Sequence, residues 1–387
     1  MALIGALGPF QFDTYLPALP QITSEFHTST GLVQATVAAS LFGMATGQIV
    51  TGPISDSKGR RRPMLIALVA FVVAAIACTV APNVYWLMIS RFLLGFSSAA
   101  AFVVVNAFIR DNAHGQEAAK LYATQATIQS MAPIVAPLVG GVLLTFGDWR
   151  IVFQFLAVGG AAVLAMVWAN IPESLATEKR HELHPMVIIR SYKVVIKDHT
   201  FRTVALAGGL HFAMVAGFLA TAPYVMESTF NLTPTQFTYF FAAVTLGIFL
   251  TTQLNRRLLK RFKAISLMRF GMAYAGASAL FLAFVSLSGI VFLPLTIAAF
   301  GFAVSSMGFI MANGMSLVMH GHGARAGVAA GLVGFTMTLM GALAAPLPSM
   351  FFAATVSGLA GFMAIVMATN SVVASWNLRR MAANQPA

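Results

Sequence analysis

The sequence predicts an all-α membrane protein built as two six-helix bundles, and three observations carry that prediction. Of 387 residues, 58% are hydrophobic and 9% charged, where a soluble domain carries roughly a quarter charged residues. The apolar residues gather into twelve runs near the ~20-residue length that a helix needs to cross a bilayer core. Finally, 21 of the 23 Lys and Arg residues lie on one side of the topology those runs define, with only Arg91 and Arg150 elsewhere. That asymmetry is the positive-inside rule, and it accounts for the net charge of +12 without nucleic acid.

The runs lie near 2–20, 31–53, 64–80, 84–108, 117–146, 149–170, 201–228, 234–254, 265–285, 290–313, 325–354 and 357–378. Turn residues separate them: Ala81-Pro82-Asn83, Phe146-Gly147-Asp148, Ile171-Pro172-Glu173 and Asn231-Leu232-Thr233-Pro234. None alternates in polarity as a membrane β-strand would. No charged stretch precedes residues 2–20, so they do not read as a cleavable signal. The near-absent tail before them suggests that a few cytoplasmic residues precede it in the natural protein. The expected organisation is an N-terminal bundle over 1–170, a cytoplasmic linker over 171–200, and a C-terminal bundle with a short cytoplasmic tail over 201–387. Both termini are expected inside, in the inner membrane of a bacterium. The halves repeat weakly: Tyr15-Leu16-Pro17 aligns with Thr221-Ala222-Pro223, and Pro137 with Pro346. Two parallel six-helix repeats are a transporter arrangement, with substrate bound between the halves near the midplane.

Several chemistries are disfavoured. The single cysteine, Cys78, rules out a disulfide framework or thiolate cluster. His181-Glu182-Leu183-His184 and His320-Gly321-His322 lack the spacing of a catalytic metal site. No nucleophile–base pair lies within the spans, which argues against an enzyme, and no continuous polar lining suggests a channel. Neither a metal nor a cofactor is expected.

Four segments carry a resemblance. Gly52-Pro-Ile-Ser-Asp56-Ser-Lys-Gly59-Arg60-Arg61-Arg62-Pro63 resembles the loop motif between helices 2 and 3 of major facilitator superfamily transporters. Gly8-Pro-Phe-Gln-Phe-Asp13-Thr-Tyr15-Leu-Pro17-Ala-Leu-Pro20 resembles the first-helix signature of drug:proton antiporters, most closely the Bcr/CflA branch. Arg91-Phe-Leu-Leu-Gly95 resembles the fourth-helix arginine motif. Ala132-Pro-Ile-Val-Ala136-Pro137-Leu-Val-Gly140-Gly141 resembles the fifth-helix antiporter motif, with Ala132 and Ala136 in place of two glycines. Leu94 and Ser97 also depart from the fourth-helix pattern.

The resemblance implies a major facilitator fold and export of amphipathic drugs in exchange for protons, by a protein expected to be monomeric. The alternative is a dedicated exporter or importer of one endogenous solute, such as an amino-acid derivative or siderophore. Asp13 and Arg91 are the candidate proton-coupling pair, because a charge roughly 10 Å inside the membrane must be protonated, paired or wetted. Should both face the central cavity, Arg91 would hold Asp13 ionised. Gly52, Asp56, Gly59, Arg60 and Arg61 are expected to form a cytoplasmic latch, to which the resemblance adds Asp111 and the start of span 11. Ala136, Pro137, Gly140 and Gly141 are expected to make a pliable gate, with Pro137 bending its helix. The expected substrate cavity draws on Phe12, Tyr15, Gln34, Asn106, Gln125, Gln129, His211, Tyr224, Tyr239 and Asn313. Gly43-x-x-x-Gly47 and Gly327-x-x-x-Gly331 read as close helix contacts.

Overall fold

The computed structural model describes residues 2–113, 115–175, 180, 185–322, 326–352 and 355–383. The segment His181-Glu182-Leu183-His184 lies outside them, as do Lys179 and Arg325 of the 21 basic residues expected on the inner side, and the side chains of Arg379 and Arg380. The described residues are helical, with no strand. They form two compact units, Met1–Pro185 and Met186–Ala387. The first contains α1 (Ala2–Asp13), α2 (Leu19–Glu25), α3 (Thr30–Lys58), α4 (Arg61–Thr79), α5 (Val84–Asn112), α6 (Gly115–Leu143) and α7 (Arg150–Asn170). The second contains α8 (Pro185–Lys197, from its second residue), α9 (His199–Phe230), α10 (Pro234–Leu258), α11 (Ala264–Ser288), α12 (Leu293–Ser305), α13 (Met307–His322), α14 (Ala326–Ala344), α15 (Leu347–Phe351) and α16 (Val356–Ala383).

Each predicted span has a helical counterpart. Among the described residues ten helices are long and apolar enough to cross a membrane, and bent α6, taken as one span, makes an eleventh. Their starts follow local chemistry. Ser29 accepts the Leu32 N–H ahead of α3, and Asn83 accepts that of Trp86 ahead of α5. Thr233 and Gln236 form a reciprocal capping box at α10, with Pro234 in the first helical position. Asn231, at φ +51°, ends α9 in the left-handed region.

Three predicted spans are interrupted. The first stops at Asp13, turns through a short 3-10 segment at Leu16–Ala18 and resumes as α2. Pro17 explains the stop, since it has no N–H to offer the Asp13 carbonyl four residues earlier. The eleventh breaks between α14 and α15 at Pro346, with Pro348 just beyond. The tenth breaks at Ser306 without a proline. Here other helices hold the opened backbone: the Thr251 hydroxyl donates to the Ser305 carbonyl at 2.7 Å, and Tyr274 Oη meets Ser305 Oγ at 2.6 Å.

α6 departs from expectation in detail. It bends by 43° between Lys120–Gln129 and Met131–Leu143, upstream of Pro137. Pro133 fits that position better, because its missing N–H frees the carbonyl of Gln129. The linker also differs from a plain hydrophilic connection, since it contains α8.

Packing in the first unit is tightest between α3 and α5. A Cβ on Gly43 would collide with the Phe92 carbonyl, and one on Gly95 with the Ser40 carbonyl; at Gly47 the Phe96 carbonyl would be 2.5 Å away. Gly43-x-x-x-Gly47 is therefore a true backbone crossing. Gly331 differs, for a Cβ there would meet nothing within 4 Å.

Candidate functional site

Two polar clusters stand out in the first unit. The first surrounds the end of α1. Asp13 is 6% exposed, and its carboxyl has no hydrogen-bond or ion-pair partner among the described residues. Arg91, on α5, is fully buried. It does not pair with Asp13: its Nη1 donates to the Gln11 carbonyl at 2.6 Å and to Gln11 Oε1 at 3.0 Å. The reason is helical geometry, since residues two apart point about 200° away from one another. The face of α1 that meets Arg91 therefore carries Gln11 and turns Asp13 away. Arg91 Nε and Nη2 are buried without a partner, but the guanidinium lies over the Tyr15 ring at 4.3 Å and nears the Phe153 ring at 5.9 Å. Aromatic faces replace an acid as its partial counter-charge.

Gln11 is the hub that sequence reasoning missed. Besides Arg91 it accepts from Ser40 Oγ at 3.0 Å, and its Nε2 faces Met44 Sδ at 3.5 Å. It ties α1, α3 and α5 together. Its signal, a polar residue two places before Asp13 in an apolar run, was present in the sequence. Tyr15, expected in the cavity, is wholly buried, with its hydroxyl 2.9 Å from that of Thr36. Gln34 is also buried, and Phe12 is 6% exposed.

The α6 segment reaches this cluster from the other side. At Gly140 a Cβ would strike the Thr14 carbonyl, so glycine lets α6 cross directly beside Asp13. Ala136, Pro137 and Gly141 are buried nearby in sequence. Gln125 packs at the start of α1, where a Cβ on Gly5 would lie 3.3 Å from it. Gln129 and Asn106 are half-buried.

The second cluster joins the end of α3, the start of α4 and the end of α5. Arg60 is 2% exposed. Its Nε donates to Asp111 at 2.7 Å, and its Nη1 donates to Asp56 at 2.6 Å and to Ser55 Oγ at 2.9 Å. Burial opposes the Arg60 charge, yet these carboxylates more than compensate and raise its pKa. Gly59 sits at φ +87°, and a Cβ there would lie 2.5 Å from the Glu173 carboxylate. Both conformation and space demand glycine here. Gly52, by contrast, has room, with Val103 at 4.0 Å from an added Cβ.

Glu173 was not anticipated. It lies just beyond α7, 113 residues from Arg60, and accepts the backbone N–H groups of Arg60 at 2.7 Å and Arg61 at 3.2 Å. It therefore caps α4 from another part of the chain. Burial acts to raise its pKa, but the N–H groups of Arg60, Leu175 and Arg61, with the Arg180 charge, bring it below the usual glutamate range. Glu173→Ala is expected to cost about 1–2 kcal/mol, the worth of a strong cap, measured by thermal unfolding at neutral pH. The depressed pKa fixes the sign of the pH dependence. The stabilisation is complete above the unfolded-state pKa and is lost as pH falls through the folded one. The gap between parent and variant should thus close in acid.

In the second unit, Asn255 and Asn313 form a buried pair, with Asn313 Nδ2 donating to Asn255 Oδ1 at 2.8 Å. His211 is fully buried against the backbone of Val304. Tyr224 is half-buried, and Tyr239 is 64% exposed. Within their own units the ten expected cavity residues differ in exposure, from fully buried Tyr15, Gln34 and His211 to exposed Tyr239. Arg150, one of the two basic residues that broke the charge asymmetry, is held by Glu25 at 2.7 Å and Asp148 at 3.2 Å and lies 4.3 Å above the Trp149 ring.

A family profile described as Major Facilitator Superfamily matches residues 1–346. The chain belongs to the major facilitator superfamily. It is thus a multi-pass membrane transporter rather than an enzyme, with the superfamily's two six-helix bundles. It is 30% identical over 350 residues to the uncharacterized MFS-type transporter YdgK of Bacillus subtilis, covering 90% of this chain and 87% of that one. It is 27% identical to the bicyclomycin resistance protein homolog of Haemophilus influenzae, over 89% and 86% of the two chains. Among solved structures, a bacterial homolog of the human lysosomal transporter Spinster, inward-facing and occupied, superposes with a TM-score of 0.76 at 15% identity, over 99% and 96% of the chains. At that identity the likeness concerns the superfamily fold alone.

Proposed function

We propose that this transporter exports amphipathic small molecules in exchange for protons, by alternating access, from the cytoplasm of a bacterium across its inner membrane, with both termini inside. The observation that carries the reading is Asp13. A carboxyl group buried at a helix break, with no polar partner, is costly as an anion and tolerable as an acid. Taking up and releasing one proton therefore shifts the free energy of this half of the molecule, which is what coupling needs. Arg91 would supply a fixed positive field nearby, steadied by Gln11. The cluster of Asp56, Arg60 and Asp111 would serve as a latch on the cytoplasmic side. The name of the Haemophilus relative, a bicyclomycin resistance protein homolog, supports a drug-like substrate, as do the aromatic residues Phe12 and Tyr15 that flank Asp13 in the sequence.

The test is reconstitution in liposomes with an imposed pH gradient and a panel of amphipathic antibiotics and endogenous metabolites. Flux of several unrelated antibiotics, driven by the gradient and abolished by a protonophore, is expected. Transport that ignores the gradient would defeat the proposal, and flux confined to one metabolite would identify a dedicated carrier instead.

A further inference from the structure

α8 is left unused by the transport mechanism, and its surface is unusual for a connecting segment. Arg190, Lys193 and Lys197 are all exposed and are spaced so that they share one stripe, within about 60° on the helix. Ile189 and Ile196, seven residues apart, form a second stripe about 80° away; they are 47% and 48% exposed. Met186 falls within the basic stripe at the start of the helix and Val194 edges it, both exposed, whereas Val195, on the remaining side, is fully buried. The helix thus docks to protein through Val195 and leaves an apolar stripe and a basic stripe side by side.

Its position is set by the chain. Lys197 ends α8, Asp198 caps the next helix by accepting the Phe201 N–H at 2.8 Å, and α9 begins at His199. α9 is a membrane-spanning segment of 32 residues. Only one residue therefore separates α8 from a helix that enters the bilayer, so α8 cannot stand far from the membrane surface. A helix held there, with isoleucines on one stripe and three cations on the next, has the chemistry of an interfacial helix.

We propose that α8 lies in the headgroup layer and binds anionic phospholipid, with Ile189 and Ile196 reaching the acyl boundary and Arg190, Lys193 and Lys197 meeting the headgroup phosphates. The inner leaflet is assigned by the topology proposed above, and on that reading the inference rests. Cations near an anionic surface each contribute a similar increment, so the three together would shift the balance between a seated and a lifted helix by about 100-fold.

The test places a nitroxide on Ile189→Cys in the full chain, held in nanodiscs of phosphatidylcholine alone or with added phosphatidylglycerol. Cys78 is buried and leaves the new thiol as the labelling site. With phosphatidylglycerol the label should collide with oxygen in preference to a water-soluble nickel complex, and with phosphatidylcholine alone the preference should weaken. Adding Arg190→Gln, Lys193→Gln and Lys197→Gln should remove the lipid dependence while thermal unfolding of the detergent-purified protein is unchanged. A label equally open to nickel in both lipids, or a lipid response that survives the triple change, would overturn the proposal. Topology is read separately, by impermeant maleimide on Arg190→Cys in intact cells. Modification from outside would reject the inner-leaflet assignment, and the nanodisc result, with both faces accessible, would still decide lipid binding.

Discussion

Asp13→Asn is expected to abolish uphill transport while leaving the protein folded and able to bind substrate. The substitution keeps the size and shape of the side chain and removes its proton chemistry. On the proposed mechanism, each proton exchanged for an uncharged substrate moves one charge through the membrane potential, worth about 2.3 kcal/mol per 100 mV. That energy supports a concentration ratio of about 50-fold per proton, so the expected change is a fall in the steady-state ratio from that order to unity. Substrate counterflow, which needs no gradient, should persist. Proteoliposomes loaded with labelled substrate measure both quantities on the same sample. Retention of gradient-driven accumulation by Asp13→Asn at the parent rate would assign coupling elsewhere. Parallel measurements on Gln11→Leu separate position from charge. This variant leaves Asp13 intact but removes the amide oxygen beside Arg91, so counterflow should continue while the pH dependence of transport moves.

Gly43→Ala should be among the most damaging single methyl groups in the first unit. The added Cβ would overlap the Phe92 carbonyl, which belongs to helical backbone and cannot rotate aside as a side chain would. Relief requires α3 and α5 to separate along a crossing that Gly47 and Gly95 also hold close. Overpacking of this kind typically costs 1–3 kcal/mol, and a backbone clash belongs at about 3 kcal/mol or above. Gly331→Ala provides the control, since the same methyl there meets nothing within 4 Å. It should be neutral or gain up to about 1 kcal/mol from better helix propensity. Thermal unfolding of the two variants in one detergent makes the comparison, and equal melting temperatures would refute the distinction.

Much of the fold could be read directly from the sequence because a membrane constrains length and polarity so strongly. The twelve apolar runs correspond to helices, and prolines mark two of the three interrupted spans. The break at Ser306 has no such mark: it is maintained by hydroxyls on Thr251 and Tyr274, distant in sequence and not identifiable by local propensity. Side-chain partnerships were less accessible. Asp13 and Arg91 lie at similar depth by residue counting, but depth does not fix azimuth, and Arg91 meets Gln11 instead. Glu173 read as part of a linker because its role depends on a left-handed glycine far away in the chain. The α8 stripe is visible as spacing but lies within the stretch expected to serve as a linker. The Gly327/Gly331 pattern shows the opposite failure, a motif whose second glycine has no close neighbour.

The buried amide pair Asn255–Asn313 gives the duplication a further meaning. Asp56 and Asp111 of the first half precede these two residues by about the repeat offset, so amides stand where the first half has carboxylates. An internally duplicated chain can let one copy drift while the other keeps its ionic hardware. Ionic strength and acidity can then grip one copy at this locus and pass the other by, giving the molecule two nearly matching halves that answer differently to the same medium.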